Sequence, residues 1–219
     1  MTGLTALPVL YSFRRCPYPM RSRTSLLVSE TPVRLREVVL RDKPEAMIAA
    51  SPKATVPVLV LPDGQVIDES LAIMHRVLDH NDPKGWRLGS EAEAALIAEA
   101  DGPFKHHLDR YKYPVRYDNV DPLAHRAGGL AFLEKLDCLI QKSGQLAGVR
   151  PTLADHAIFP FVRQFANHDR DWFDSLPLPA LQKWLADHLG SPLFATTMQK
   201  YPQWQSGDEE PIFRLRQEI

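Results

Sequence analysis

The 219-residue sequence predicts a mixed α/β unit followed by an all-helical unit. Two observations carry that prediction. Short apolar, β-prone runs alternate with helical stretches as far as residue 82, and from about residue 90 only helical periodicity remains. Pro8-Val9-Leu10-Tyr11-Ser12-Phe13 opens the first part as a buried strand. A helix over about 17–30 follows, then an extended run over 33–40 and a third strand at Pro57-Val58-Leu59-Val60-Leu61. Pro62-Asp63-Gly64 is turn chemistry, and with Gln65-Val66-Ile67 it predicts an antiparallel hairpin. Leu71, Met74 and Leu78 then recur at i, i+3 and i+7, the mark of an amphipathic helix. The expected order is βαβαββα over residues 1–82. Breaker residues at 83–89 make a linker, and 90–219 make the helical unit. Its stripes are Phe132/Leu136/Leu139/Ile140, Ala154/Ile158/Phe161/Val162/Phe165 and Leu181/Trp184/Leu185/Leu189. No convincing strand is read after Ser90, and the acidic tail from Tyr201 carries no assignment.

Composition narrows the function classes. The 26 basic residues nearly balance 27 acidic ones, for a net charge of −1, so no electrostatic footprint for nucleic acid or an acidic membrane is present. No apolar run approaches the roughly 20 residues of a spanning helix, and the first residues lack a signal-peptide pattern. A cytoplasmic location is the expectation. The two cysteines, Cys16 and Cys138, form neither a disulfide framework nor a zinc set. Cys138 lies in a helical stripe and reads as core packing. His106-His107 point about 100° apart on a helix and make a poor chelate, so no metal is expected.

Chemistry concentrates at Arg14-Arg15-Cys16-Pro17-Tyr18-Pro19-Met20-Arg21. Cys16 falls where a strand ends and a helix begins, and Pro17 suits the first helical position. Unpaired N–H groups at a helix start, with Arg14, Arg15 and Arg21 nearby, favour a thiolate over a buried, inert thiol. Thr152 and Asp155 fit Thr-x-x-Asp, a capping-box variant and a structural element.

The Cys-Pro-Tyr-Pro stretch resembles the active-site motif of glutaredoxins and of cysteine-type glutathione transferases, the omega class above all. The likeness continues through Asp42-Lys43-Pro44-Glu45, Val56-Pro57-Val58-Leu59, Gly64-Gln65-Val66-Ile67-Asp68-Glu69-Ser70 and Pro151-Thr152-Leu153-Ala154-Asp155, in order and at approximate spacing. It implies a thioredoxin-like first domain, glutathione as cosubstrate and a homodimer. It further implies a cis peptide before Pro57, with the Val56 backbone pairing glutathione's cysteinyl part. Glu69 and Ser70 would receive the γ-glutamyl end and Lys43 the glycyl carboxylate, with Tyr18 beside the sulfur. Read from the residues alone, 68–70 simply cap the helix that follows.

With Cys16 as nucleophile the expected chemistry is thiol transfer through a mixed disulfide. Two alternatives stand: conjugation, with Tyr11 or Ser12 activating glutathione's own sulfur, and a non-catalytic binding protein of the same fold. The acceptor, a small molecule or mixed disulfide, is expected near Phe104, Tyr111, Tyr113 and Trp172.

Overall fold

The computed structural model describes residues 7–215. Its first unit is built on a five-stranded sheet in the order β4-β3-β1-β2-β5. Strand β1 (Val9–Ser12) pairs in parallel with β2 (Val33–Glu37), and the connection runs through helix α1 (Pro17–Val28). After α2 (Glu45–Ala50), β3 (Val58–Val60) returns antiparallel to β1 and forms a hairpin with β4 (Val66–Ile67), closing on α3 (Ser70–His80). Gly64 takes the left-handed conformation, φ 87°, that the turn requires. This is the thioredoxin-like βαβαββα order expected from the sequence.

Helix α1 departs from the usual amphipathic pattern. Nearly every residue of Pro17–Val28 is buried, including Arg21, Ser22, Arg23, Thr24 and Ser25. Burying polar groups is costly unless they are bonded, and of these the Ser22 hydroxyl has no partner among the described residues. Arg23 donates to Ser12 Oγ at 2.8 Å and to the Thr197 carbonyl at 3.2 Å, and pairs with the Glu37 carboxylate. Thr24 bonds the Met20 carbonyl, and Ser25 that of Ser22. The helix packs against α3 on one side.

The partner of Arg23 at Thr197 reveals where the end of the chain goes. The chain divides into Gly85–Ser191 and a second unit that joins the residues up to Lys84 with those from Pro192 onward. The expected boundary of 90–219 for the helical unit is therefore corrected. Helix α10 (Pro192–Thr197) packs on α1, and β5 (Ile212–Phe213) pairs antiparallel with β2. Trp204 joins the core of Val9, Tyr11, Val38, Met47, Val56 and Val58, and its backbone N–H donates to the Glu37 carbonyl at 2.9 Å. The expectation of no strand after Ser90 is corrected as well. A two-residue strand carries no readable alternation, and its register comes from β2.

The other unit contains α4 (Glu91–Glu99), a π turn at Ala100–Phe104, α5 (Lys105–Lys112), α6 (Pro122–Ser143), α7 (Leu153–Ala166), α8 (Arg170–Asp174) and α9 (Pro179–Gly190). Pro103 cannot donate within the helix, which accounts for a π turn there. Asp155 anchors the unit: its carboxylate accepts from Thr152 N at 2.8 Å, Leu146 N at 2.9 Å and Trp184 Nε1 at 2.9 Å. No helix among the described residues is long and apolar enough to cross a membrane.

Candidate functional site

The turn from β1 into α1 presents Cys16 as the N-cap residue, with extended backbone (φ −82°, ψ 132°) and Pro17 at the first helical position. Its N–H donates to the Phe13 carbonyl at 3.0 Å, and its carbonyl accepts from Met20 N at 3.2 Å. Pro17 and Pro19 bring no N–H, so Tyr18 carries the one N–H among the first three residues of this helix. No acidic residue occupies the turn. Cys16 and Tyr18 are both half-buried, and the Arg21 guanidinium lies over the Tyr18 ring at 5.6 Å. Arg21 itself is buried.

A cavity of about 420 Å³ opens at this turn. Cys16, Tyr18, Lys43, Val56, Pro57, Glu69 and Ser70 all line it, with Asp68, Ala54, Thr55 and Leu40 between them. Every residue expected at the cosubstrate site is thus brought to one concave surface, from four segments separated in sequence. The Val56–Pro57 peptide is cis. Val56 is held by the Tyr11/Val58/Trp204 core on its side-chain side. Among the described residues its N–H and C=O make no backbone hydrogen bond, leaving both to a ligand.

Opposite Cys16, Glu69 is the N-cap of α3 and Ser70 its buried first residue. The Glu69 side chain makes no cap bond, so simple capping does not account for it. It receives Lys53 Nζ at 2.8 Å, and the same ammonium reaches Asp68 at 3.1 Å. Ser51 Oγ donates to Asp68 at 2.7 Å. The Ser51 hydroxyl first, and Lys53 after it, hold the Asp68 carboxyl below its ordinary range, while Glu69 and then Asp68 raise the Lys53 ammonium. Sequence reading missed Ser51 and Lys53. A lysine beside a proline carries no local sign that it will meet two carboxylates 15 and 16 residues on. Ala54, which follows it, holds φ 51°, a left-handed conformation that costs a Cβ-bearing residue about 1–2 kcal/mol and recurs at ligand sites.

Tyr11 and Ser12 do not reach this cavity, and their expected role in activating a thiol is corrected. Both are buried on β1. The Tyr11 hydroxyl is engaged by Arg36, and the Ser12 hydroxyl by Arg23.

In the helical unit, two of the expected acceptor-wall residues are also corrected. Phe104 and Tyr111 are buried, Phe104 packing on Phe132 and Phe165 at 4.8 and 5.4 Å, and Tyr111 on Phe165 at 5.0 Å. Helical aromatics of inward phase join the core. Trp172 is half-buried beneath the Arg126 guanidinium, and Tyr113 beneath that of Arg116. Thr152 caps α7, its backbone N–H meeting Asp155. Cys138 is exposed, contrary to the core reading, because the inward stripe of α6 runs through Phe132, Leu133, Leu136 and Ile140. His106 and His107 meet His125, with His107 and His125 Nδ1 atoms 3.0 Å apart. Among the described residues no group could hold a metal ion.

Residues 10–86 match the family model described as glutathione S-transferase, N-terminal domain. No curated protein matches the chain. Among solved structures, a glutathione S-transferase from Rhodospirillum rubrum F11 is 23% identical, covers 94% of this chain and 96% of its own, and superposes with a TM-score of 0.71. A glutathione transferase family member from Pseudomonas fluorescens pf-5, solved with two glutathione bound, is 18% identical over 96% of each chain at a TM-score of 0.76. A glutathione transferase from Phanerochaete chrysosporium, in complex with oxidized glutathione, is 16% identical over 88% of this chain and 94% of its own, at 0.75. At these identities the structures establish the fold.

Proposed function

We propose that the chain is a glutathione-dependent transferase in which Cys16 exchanges glutathione through a mixed disulfide. The observation that carries the reading is the convergence of Cys16, Tyr18, Lys43, Val56, Pro57, Glu69 and Ser70 on one cavity. Each end of the tripeptide meets a group suited to it. The open Val56 N–H and C=O suit its cysteinyl backbone, in the manner of an added strand. The start of α3 with Ser70 suits the γ-glutamyl carboxylate, Glu69 the ammonium, and Lys43 the glycyl carboxylate. Homologous residues 10–86 and the glutathione held in two structures of the same fold support this choice of cosubstrate.

In the reaction, Cys16 thiolate attacks the glutathionyl sulfur of a mixed disulfide. The old S–S bond breaks, its electron pair leaves with the acceptor thiolate, and a Cys16–glutathione disulfide forms. A glutathione thiolate then attacks that bond, yielding oxidised glutathione and restoring Cys16 thiolate. Position 19 is proline, so no cysteine three residues on competes for the second step. The helix start favours the anionic sulfur. The reading carries with it the homodimer that the sequence resemblance implies, and a cytoplasmic setting is proposed with it.

Cys16→Ser tests it. The variant should bind glutathione in a calorimetric titration yet fail to reduce a glutathione–mercaptoethanol disulfide, and mass spectrometry should find no glutathione adduct. Undiminished thiol transfer by Cys16→Ser would overturn the mechanism.

A further inference from the structure

A second cavity, of about 210 Å³, lies against the turn that leads into Cys16. Phe13, Val38 and Val39 give it an apolar floor, and Arg14, Arg15, Lys200 and Tyr201 its polar rim. Glu37 is its one acidic lining residue. That carboxylate is largely buried and already committed, to the Arg23 guanidinium and to the Arg14 backbone N–H at 2.8 Å. Among the described residues, neither Arg14, Arg15 nor Lys200 pairs its side chain with a carboxylate. Arg15 lies over the Phe13 ring at 5.2 Å, which orients its guanidinium along the floor. Three other arginines of this unit are paired: Arg34 and Arg36 with Glu210, and Arg23 with Glu37.

Three cations around so small a hollow, whose one carboxylate is already paired with Arg23, repel one another and focus a positive potential into it. An anion relieves that repulsion, and guanidinium donors match the oxygens of carboxylate or phosphate in a forked geometry. The cavity is separate from the one that holds Lys43, Val56 and Ser70, since the two share no lining residue. It is joined to the nucleophile through the Cys16 N–H bonded to the Phe13 carbonyl at 3.0 Å.

We propose that this cavity is an oxyanion site, and that it receives a compact, doubly charged group, dicarboxylate or phosphate, carried by the acceptor thiol. Its place as an acceptor subsite rests on the thiol-transfer reading, whereas its occupancy by an anion does not.

The two parts are tested separately with the full chain. Calorimetric titration with inorganic phosphate and with succinate, at constant ionic strength in chloride, should show saturable binding of at least one of them. Arg14→Gln/Lys200→Gln should weaken it by about tenfold or more, as loss of two charge-assisted contacts requires, and leave glutathione binding unchanged. Absence of saturation by either anion at 10 mM, taken as about the weakest affinity that a built site shows, overturns the site, as does binding that the double variant retains. The acceptor role is read from kcat/KM for two glutathione mixed disulfides, one with mercaptosuccinate and one with neutral mercaptoethanol. Lys200→Gln should lower the first by about fivefold and leave the second within twofold. An equal effect on both, or none on either, overturns the acceptor role. Should the wild-type chain turn over neither disulfide, the thiol-transfer reading fails, and the phosphate and succinate titrations still decide the anion site.

Discussion

Replacing Arg23 with methionine removes a buried cation while keeping most of the side chain's volume. Arg23 has no exposed side-chain surface, and the Glu37 carboxylate it meets is 10% exposed. Burial pushes the guanidinium below its ordinary value while Glu37 draws it back up, and it stays protonated at any working pH. Methionine therefore strands a carboxylate, the Ser12 hydroxyl and the Thr197 carbonyl at once. Breaking a buried pair from one side costs about 3–5 kcal/mol. With a urea dependence of about 2 kcal/mol per molar, the midpoint should fall by roughly 1.5–2.5 M. The loss should appear as faster amide exchange in peptides from α1, β2 and α10, since Arg23 ties all three. Arg23→Met/Glu37→Leu removes both charges, and should recover more than half of the loss. Because Glu37 also accepts the Arg14 N–H, the single variant should slow thiol transfer as well. A midpoint shift below about 0.5 M in Arg23→Met, corresponding to about 1 kcal/mol, would refute the reasoning.

Two further predictions concern the helical unit. Asp155→Ala leaves Leu146 N, Thr152 N and Trp184 Nε1 buried without an acceptor, at about 1–3 kcal/mol each. Thr152→Ala keeps those bonds and should cost about 1 kcal/mol, so urea midpoints should rank wild type, Thr152→Ala, Asp155→Ala; the reverse order of the variants would sink the account. Acidification is the other. His156 is fully buried, stacked on Trp86 at 3.6 Å, and burial first, then His188, holds its pKa well below the ordinary histidine value. The unfolded chain thus binds a proton at higher pH than the folded one. Stability contributed by the neutral ring is complete above about pH 6.5 and falls as pH drops below that value. Urea midpoints measured from pH 7.5 to 5 should decline, and the decline should be shallower in His156→Phe. An unchanged slope in that variant would show that the proton goes elsewhere.

The candidate site was readable because its parts are local motifs. A cysteine before proline at a strand end, a valine–proline pair before an apolar run, and a glutamate–serine pair before an amphipathic helix each announce a backbone geometry within a few residues. What escaped reading depends on distant partners. Arg23 and Thr24 of α1 look like part of a solvated face until Glu37 and Thr197 supply their partners, the latter 174 residues from Arg23. Trp204 and β5 carry no period of their own and gain order from β1 and β2. Lys53 gains meaning only where the loop before Pro57 comes back to Asp68 and Glu69. Inward aromatic phase on a helix cannot be told from a ligand wall by spacing alone, and there Phe104 and Tyr111 went to the core.

The return of residues 192–213 to the first sheet bears on how the chain is made. β2 and β5 are separated by the whole of Gly85–Ser191. At about 5–20 residues per second, a ribosome needs on the order of ten seconds after releasing β2 before β5 emerges. The contiguous helical unit is complete earlier, so the segment translated first is the one whose tertiary structure is finished last. During that interval the edge of β2 and the pocket for Trp204 stand open, and a nascent-chain chaperone would find its substrate there.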